Sequence, residues 1–205
     1  MSNIKPTFFT SDFHISHENV LKFDQRPFRD LKHMHESLIT RYNASVTENG
    51  VCYFLGDMGA KTEDIHKVIT RLNGIKILVL GNHDKGMNTM YKCGFDVVMH
   101  GATIYIQGEK VTLSHCPLAD TWREDTSHTK IPNAFWHGHE KNTMFTVKND
   151  GQFHLHGHIH SRADKPNSVK ILDKQYDVGV AANNYRPVSI SEIESWISLY
   201  KRDTK

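Results

Sequence analysis

The sequence has few of the features that mark membrane proteins, disulfide-rich proteins or nucleic-acid-binding proteins. Its longest apolar runs, such as residues 75–80, are interrupted by a charge at Lys76 and fall far short of the roughly 20 residues of a membrane-spanning helix. Three cysteines without a CxxC pair indicate neither a disulfide framework nor a thiolate zinc site. A formal charge of +2 without a block of Lys and Arg gives no strong nucleic-acid signal. We therefore expect no membrane-spanning segment, and a nucleic-acid partner is possible but not indicated.

What is present is the composition of one globular domain. Hydrophobic residues make up 38% and charged residues 23% of a chain of 205 residues, a length that suits a single core. The first residues lack the charged region, long apolar core and cleavage site of a secretory signal. We expect a single domain over residues 1–205 and a cytoplasmic location, and the sequence gives no indication of the oligomeric state.

The apolar pattern alternates between short β-branched or aromatic runs and longer stretches of helical period. Helices are expected after Asp30 and Thr62 as N-caps, and a third is expected where Ser189 and Glu192 have the spacing of a capping box. Strands are expected at residues 7–10, 51–55, 75–80, 103–106, 111–114, 152–156, 169–172 and 176–180. This order predicts an α/β fold with mixed sheets covered by helices and with ligands at the carboxyl ends of strands.

A polar segment at residues 118–151 has no clear period and is too long for a simple connection. We interpret it as a cap or insertion beside the site, with a disordered flap as the alternative. Within it, His137 and His139 imitate a metal-binding pair, but Glu140 and Lys141 follow where a further histidine would be needed.

The clearest departure from an ordinary composition is the count of 15 histidines, because histidine is the commonest metal ligand in proteins. Taken singly, the motifs that contain them are weak, and each could be a turn or a surface loop. Residues two apart in a strand point to the same side, so each D-x-H or H-x-H pair could deliver two ligands to one cavity. Five motifs follow expected strands: Asp12-Phe13-His14, Gly56-Asp57, Gly81-Asn82-His83-Asp84, Ser114-His115-Cys116-Pro117 and His156-Gly157-His158-Ile159-His160.

The order D-x-H, G-D, G-N-H-D, S-H-x-P and G-H-x-H resembles that of the calcineurin-like metallophosphoesterase superfamily, over nearly the whole chain. The stretches SDFHISHENVLKFDQRPF and DVGVAANNYRPVSISEI further resemble a small branch of bacterial and bacteriophage phosphoesterases. The resemblance implies two facing mixed β-sheets flanked by helices, a four-layer αββα sandwich. It also implies that the chain works in a bacterium or in a phage-infected bacterial host.

The resemblance further implies a binuclear metal centre with seven ligands. Two divalent ions are implied, and carboxylate, amide and imidazole donors without thiolate suit Mn²⁺ as the first expectation, with Fe, Zn, Ni and Mg as alternatives. Carried over motif by motif, Asp12, His14 and His160 would hold one ion, Asn82, His115 and His158 the other, and Asp57 would bridge them.

The implied reaction is hydrolysis of a phosphodiester or phosphomonoester in a small substrate, with nucleotides and cyclic nucleotides among the candidates. Two cations about 3.5–4 Å apart would generate a bridging hydroxide, hold the phosphate and neutralise its charge. His83, which follows the ligand Asn82, is the candidate general acid, and Asp84 could fix its tautomer and raise its pKa. A structural hydrogen bond is the alternative role for His83, and a catalytically silent metal-binding scaffold is the alternative function.

Three further residues are candidates for substrate contacts. His17 lies three residues after His14 and could reach a phosphate, although a solvent-facing histidine at a helix start is the alternative. Arg26 and Arg186 each precede a proline, and a guanidinium suits a phosphate. Pairing with a carboxylate across loops is the alternative for both arginines.

Overall fold

The short β-branched and aromatic runs form strands, and the stretches of helical period form helices, in a computed structural model that describes residues 5–118, 145, 147–163 and 173–203. Most of the expected cap at 118–151, His137 and His139 within it, and the expected strand at 169–172 lie outside these residues. The strands are β1 Thr7–Thr10, β2 Val51–Phe54, β3 Ile75–Val79, β4 Val97–Met99, β5 Ala102–Ile106, β6 Glu109–Leu113, β7 Phe153–His156, β8 Gln175–Asp177 and β9 Val188–Ser189. The helices are α1 Val20–Phe23, α2 Leu31–Ser45, α3 Thr62–Ile69, α4 Met87–Lys92 and α5 Ile190–Asp203.

The strands form two mixed sheets, as expected. The five-stranded sheet has the order β4-β3-β2-β1-β9, with β1 to β4 parallel and β9 antiparallel to β1. The four-stranded sheet has the order β5-β6-β7-β8, with β5 and β6 antiparallel and the remaining pairs parallel. Within each sheet the parallel strands end at the same edge, which is where the polar motifs follow them.

Alternation along the strands buries both faces of the five-stranded sheet. Leu78 belongs to a core cluster with Met34 and Leu38 of α2 and Ile65 of α3. Its neighbour Val79 points the other way and belongs to a second cluster. That cluster combines the five-stranded sheet with the four-stranded sheet and α5, and it includes Phe9, Leu55, Val79, Leu113, Leu155, Ile193 and Ile197. Helices therefore cover one face of the five-stranded sheet and the four-stranded sheet covers the other, in agreement with the expected sandwich.

The predicted helix starts hold in two of three cases. Asp30 caps α2 by accepting a hydrogen bond from the amide of His33 at 2.7 Å. Thr62 is the first helical residue of α3 rather than its N-cap, and Lys61 takes the cap position without a side-chain hydrogen bond. The short elements α1, α4, β4 and β9 were not predicted. Within the described ranges, no helix combines the length and the apolar character that crossing a bilayer requires.

The capping box at the start of α5 is confirmed. The Ser189 hydroxyl accepts a hydrogen bond from the amide of Glu192 at 3.3 Å, and the Glu192 carboxylate accepts one from the amide of Ser189 at 2.9 Å. The same carboxylate binds the Arg186 guanidinium through both of its oxygens. Arg186 therefore pairs with a carboxylate beside the helix start, which is the alternative that the sequence left open, and the substrate contact stays a prediction.

We expect Ser189→Ala to lower the free energy of unfolding by about 1 kcal/mol, because the first turn of α5 loses its side-chain cap. Urea unfolding followed by circular dichroism measures this change. Ser195→Ala is the matched control, since the Ser195 hydroxyl only returns to the carbonyl of Ser191 within the same helix. Equal effects of the two substitutions would contradict a special role for the capping box.

Candidate metal centre

The polar motifs that follow β1, β2, β3, β6 and β7 meet at one place between the two sheets. Backbone hydrogen bonds join the loops in pairs: the amide of Asp12 binds the carbonyl of Gly56 at 3.0 Å, and the amide of His14 binds the carbonyl of Asp57 at 3.1 Å. On the second sheet, the amide of Gly157 binds the carbonyl of His115 at 3.0 Å. The seven side chains expected as metal ligands are thereby brought together.

One group of donors consists of Asp12, His14, Asp57 and His160. The Nε2 atoms of His14 and His160 lie 3.0 Å apart. The His14 Nε2 atom is 3.7 Å from Oδ2 of Asp57, and the His160 Nε2 atom is 3.7 Å from Oδ1 of Asp12. Asp12, Asp57 and His14 are buried, so these donors face one another away from bulk water.

A second group consists of Asp57, Asn82, His115 and His158. The Nδ1 atom of His158 lies 3.1 Å from Oδ1 of Asn82 and 3.2 Å from Nε2 of His115. The Nε2 atom of His115 lies 3.4 Å from Oδ1 of Asp57. The two groups share Asp57, which presents a different carboxylate oxygen to each.

The donor spacing fits metal coordination. Donors placed about 2.1 Å from a common centre stand about 3.0 Å apart in an octahedron and about 3.4 Å apart in a tetrahedron. The observed separations of 3.0 Å between two imidazole nitrogens and 3.4 Å between imidazole and carboxylate fall on these values. Among the described residues, Asp12, His14 and His160 form one possible metal group, and Asp12, Asp57 and His115 form another. The chain therefore has residues that fit divalent metal ions.

The backbone at the donors is strained. Asp12, His14, Asp57, His158 and His160 have φ values of 60°, 50°, 56°, 70° and 50°, in the left-handed region that non-glycine residues seldom adopt. Each such residue costs on the order of 1–3 kcal/mol, and strain of this kind concentrates at functional sites. The strain re-aims side chains from both sheets toward one point, which an unstrained strand end would not do.

The close approach of the loops requires glycine at two positions. Gly56 has a φ of 90°, and a Cβ there would lie 2.6 Å from Nδ1 of His115. A Cβ on Gly157 would overlap the Ser11 hydroxyl and the Asp12 carboxylate. Because Gly157 lacks that atom, the following amide of His158 reaches Oδ2 of Asp12 at 3.1 Å.

A carboxylate that the sequence did not single out supports one of the donors. Asp24 accepts a hydrogen bond from Nδ1 of His160 at 2.8 Å. In this tautomer the lone pair on Nε2 of the ring can bind a metal ion. Arg26 binds Asp24 at 3.0 Å and also donates to the backbone carbonyls of Phe13 and Asp12, at 3.0 and 2.9 Å. Only 4% of Arg26 is exposed, so its guanidinium binds the loop after β1 from inside the protein. This placement corrects the expected substrate contact at Arg26.

The protonation of the rings is set by burial and by neighbouring charges. Burial lowers the pKa of His158 to about 3, and burial together with the His160 ring holds the pKa of His14 well below its usual value. Neutral imidazole is the form that binds metals. Although burial opposes it, the charge of Asp57 raises the pKa of His115 to about 10. The Nδ1 atom of that ring lies 2.6 Å from the Leu55 carbonyl, so its Nε2 atom faces the site.

Asp84 has a different role from the one expected. One carboxylate oxygen accepts hydrogen bonds from the amides of Asp57 and Gly81 at 3.0 and 2.8 Å, and the other accepts one from Met58 at 2.8 Å. Burial, and then the charge of Asp57, raises the pKa of Asp84 to about 6. Both oxygens are engaged by backbone, so Asp84 joins the turns after β2 and β3 and does not contact the His83 ring.

His83 and His17 stand beside the donors. The amide of His83 donates to Oδ1 of Asp57 at 3.0 Å, while its exposed ring lies 6.3 Å from the His14 ring, centroid to centroid. The His17 ring lies 5.6 Å from the His14 ring, and its Nδ1 atom is buried without a hydrogen-bond partner among the described residues. Both rings are therefore close enough to meet a substrate at the donors.

Cys116 lies near the second group. Its sulfur could share a metal with His115 and His158 by distance. Burial raises the pKa of the Cys116 thiol, and a thiol binds metals as its thiolate, so burial disfavours this ligand. The expectation of a centre without thiolate stays a prediction.

Comparison with known proteins places this arrangement among relatives whose names state no activity. No family model matches the chain. It is 27% identical over 203 residues to the uncharacterized protein MJ1445 of Methanocaldococcus jannaschii, covering 97% of this chain and 95% of that protein. It is 28% identical over 172 residues to the Gene 66 protein of Mycobacterium phage L5, covering 78% of this chain and 79% of that protein.

Among solved structures, the chain shares its fold with the protein of unknown function AQ665 from Aquifex aeolicus. The TM-score is 0.66 at 24% identity, over 94% of this chain and all of the other. YfcE, a phosphoesterase from E. coli, aligns at a TM-score of 0.37 and 14% identity, over 86% of this chain and 79% of that one. The second likeness is too weak to bear on fold or function.

We expect Asp24→Asn to weaken the binding of one metal ion by about 10- to 100-fold and to spare the other, because only His160 loses its orienting carboxylate. Equilibrium dialysis with metal analysis measures the affinity of each site. Asp30→Asn is the matched control, since asparagine also caps a helix and Asp30 contacts none of the donors. Retention of both ions at wild-type affinity in Asp24→Asn would contradict this role.

Proposed function

We propose that this protein is a metal-dependent phosphoesterase that hydrolyses a phosphomonoester or phosphodiester of a small substrate. The observation that carries the proposal is the sharing of Asp57 by two groups of donors, through its two oxygens. Asp12, His14 and His160 complete one group. Asn82, His115 and His158 complete the other. The motif order that resembles metallophosphoesterases supports the same reading.

The donors suit two divalent ions, Mn²⁺ first and Fe, Zn, Ni or Mg as alternatives, because the proposed ligand set consists of imidazole, amide and carboxylate groups without thiolate. When bound, such a pair supplies an acidified water and neutralises the charge that develops on a phosphate. The protein contributes the fixed geometry: the strained loops hold the donors, and Asp84 joins the turns after β2 and β3. Substrate phosphate would bind at this preorganised position.

His83 is proposed as the general acid. Its backbone is fixed by the bond from its amide to Asp57, whereas its ring is exposed beside the donors. Because the backbone of His83 is fixed and its ring is exposed, the ring can give a proton to the leaving oxygen of an ester bound at the site. His17, whose ring lies 5.6 Å from the His14 ring, is proposed as a phosphate contact.

We expect metal-loaded protein to hold two ions per chain and to hydrolyse bis-p-nitrophenyl phosphate or p-nitrophenyl phosphate with added Mn²⁺. Removal of metal with EDTA should abolish turnover, and Mn²⁺ should restore it. Metal analysis and release of p-nitrophenolate measure the two quantities. Two bound ions without any turnover would favour a catalytically silent scaffold instead.

We expect His83→Ala to lower kcat by about 10²- to 10⁴-fold on an ester with an alkoxide leaving group, with metal content unchanged. The loss should be smaller with p-nitrophenol, because that leaving oxygen needs little protonation. His66→Ala, an exposed histidine on α3, is the matched control. A wild-type kcat in His83→Ala on the alkyl ester would show that another group is the acid.

A further inference from the structure

Phe23 is an exposed aromatic residue that packs against the candidate metal centre. The residue is 56% exposed, and it is the one exposed phenylalanine among those that the structure describes. The ring lies 5.7 Å from the His160 ring and 5.8 Å from the His17 ring, centroid to centroid. It therefore contacts one proposed metal ligand and one proposed phosphate contact, and it presents the rest of its surface to solvent.

The position of Phe23 is fixed by its neighbours in sequence. It ends α1, which Val20 anchors in the core, and its amide binds the carbonyl of Asn19 at 3.0 Å. The next residue is Asp24, whose carboxylate holds both His160 and Arg26. The same short segment thus orients a metal ligand and holds an aromatic ring beside it.

The surroundings of Phe23 do not form a docking patch for another protein. Its exposed neighbours in the same segment are polar: Glu18, Asn19, Lys22 and Gln25. A single exposed apolar residue needs no explanation on an ordinary surface, and a protein interface needs a larger continuous apolar area. Phe23 differs from such a residue because its ring contacts the site. A ligand bound at the site could cover this apolar surface and remove it from water.

We propose that Phe23 is a specificity-determining residue that stacks on an aromatic ring of the substrate. The site would then prefer phosphate esters that carry a nucleobase or another planar ring close to the phosphate over alkyl or sugar phosphates. This inference rests on the proposed function, since it assumes that the phosphate is held at the adjacent donors. Stacking of a base on an aromatic side chain would favour such an ester by roughly 5- to 100-fold.

The test compares two substrates with the same leaving oxygen, adenosine 5′-monophosphate and ribose 5-phosphate, or their methyl diesters if only diesters react. We expect wild-type kcat/KM to favour the adenosine ester, Phe23→Leu to bring the ratio close to one, and Phe23→Tyr to retain it, because tyrosine keeps a planar ring. Tyr105→Leu, which removes a 72%-exposed ring on β5, is the matched control and should keep the wild-type ratio.

A role of Phe23 as an apolar shield for His160 would lower kcat/KM equally for both substrates and leave the ratio unchanged in Phe23→Leu, which would overturn the proposal. Calorimetric titration of both phosphates into the metal-loaded protein in a His83→Ala background, where turnover is slow, gives the ratio of the two affinities. If no ester is hydrolysed, the proposed function fails, and the binding ratio still decides the role of Phe23. If esters are hydrolysed without preference and bind without preference, only the role of Phe23 fails.

Discussion

The rest of the site depends on the carboxylate of Asp57 and its contacts with both groups of donors. Its two oxygens face different donors, Oδ2 toward His14 and Oδ1 toward His115, so a small rotation would separate the two groups. The chain fixes it from several directions: its φ of 56° sets its direction, Asp84 binds its amide, and its carbonyl binds the amide of His14. Both sheets contribute side chains that face this one carboxylate, His14 from the first and His115 from the second.

The strain at the donors is tolerable because it is shared between loops that stabilise one another. A left-handed residue at the end of an isolated strand would relax, since nothing would hold it. Here the loop of Asp12 and His14 is bonded to the loop of Asp57, and the loop of His158 is bonded to Asp12 in turn. The large buried clusters on either side of the five-stranded sheet supply the stability that keeps these loops in place.

The apolar runs predicted seven of the nine strands that the structure describes and the mixed sheets, because short β-branched runs mark strands. The motifs that follow these runs predicted where polar side chains meet, and the resemblance to metallophosphoesterases implied their grouping into two sets. The sequence was insufficient wherever a role depends on contacts between distant parts of the chain. Asp24 looks like an ordinary turn residue, and its partner His160 lies 136 residues away. Asp84 follows His83, so adjacency suggested a pair, whereas its oxygens are taken up by backbone amides of another loop.

Arg26 shows why residue chemistry alone misassigns a role. A guanidinium suits phosphate, but burial demands that its donors be satisfied, and the carbonyls of Asp12 and Phe13 do this inside the protein. The charge that remains still acts on the site. Burial and the His160 ring lower the pKa of His14 most, and the permanent charge of Arg26 lowers it further. A buried arginine behind the donors thus favours the neutral, metal-binding form of the ring without touching a substrate.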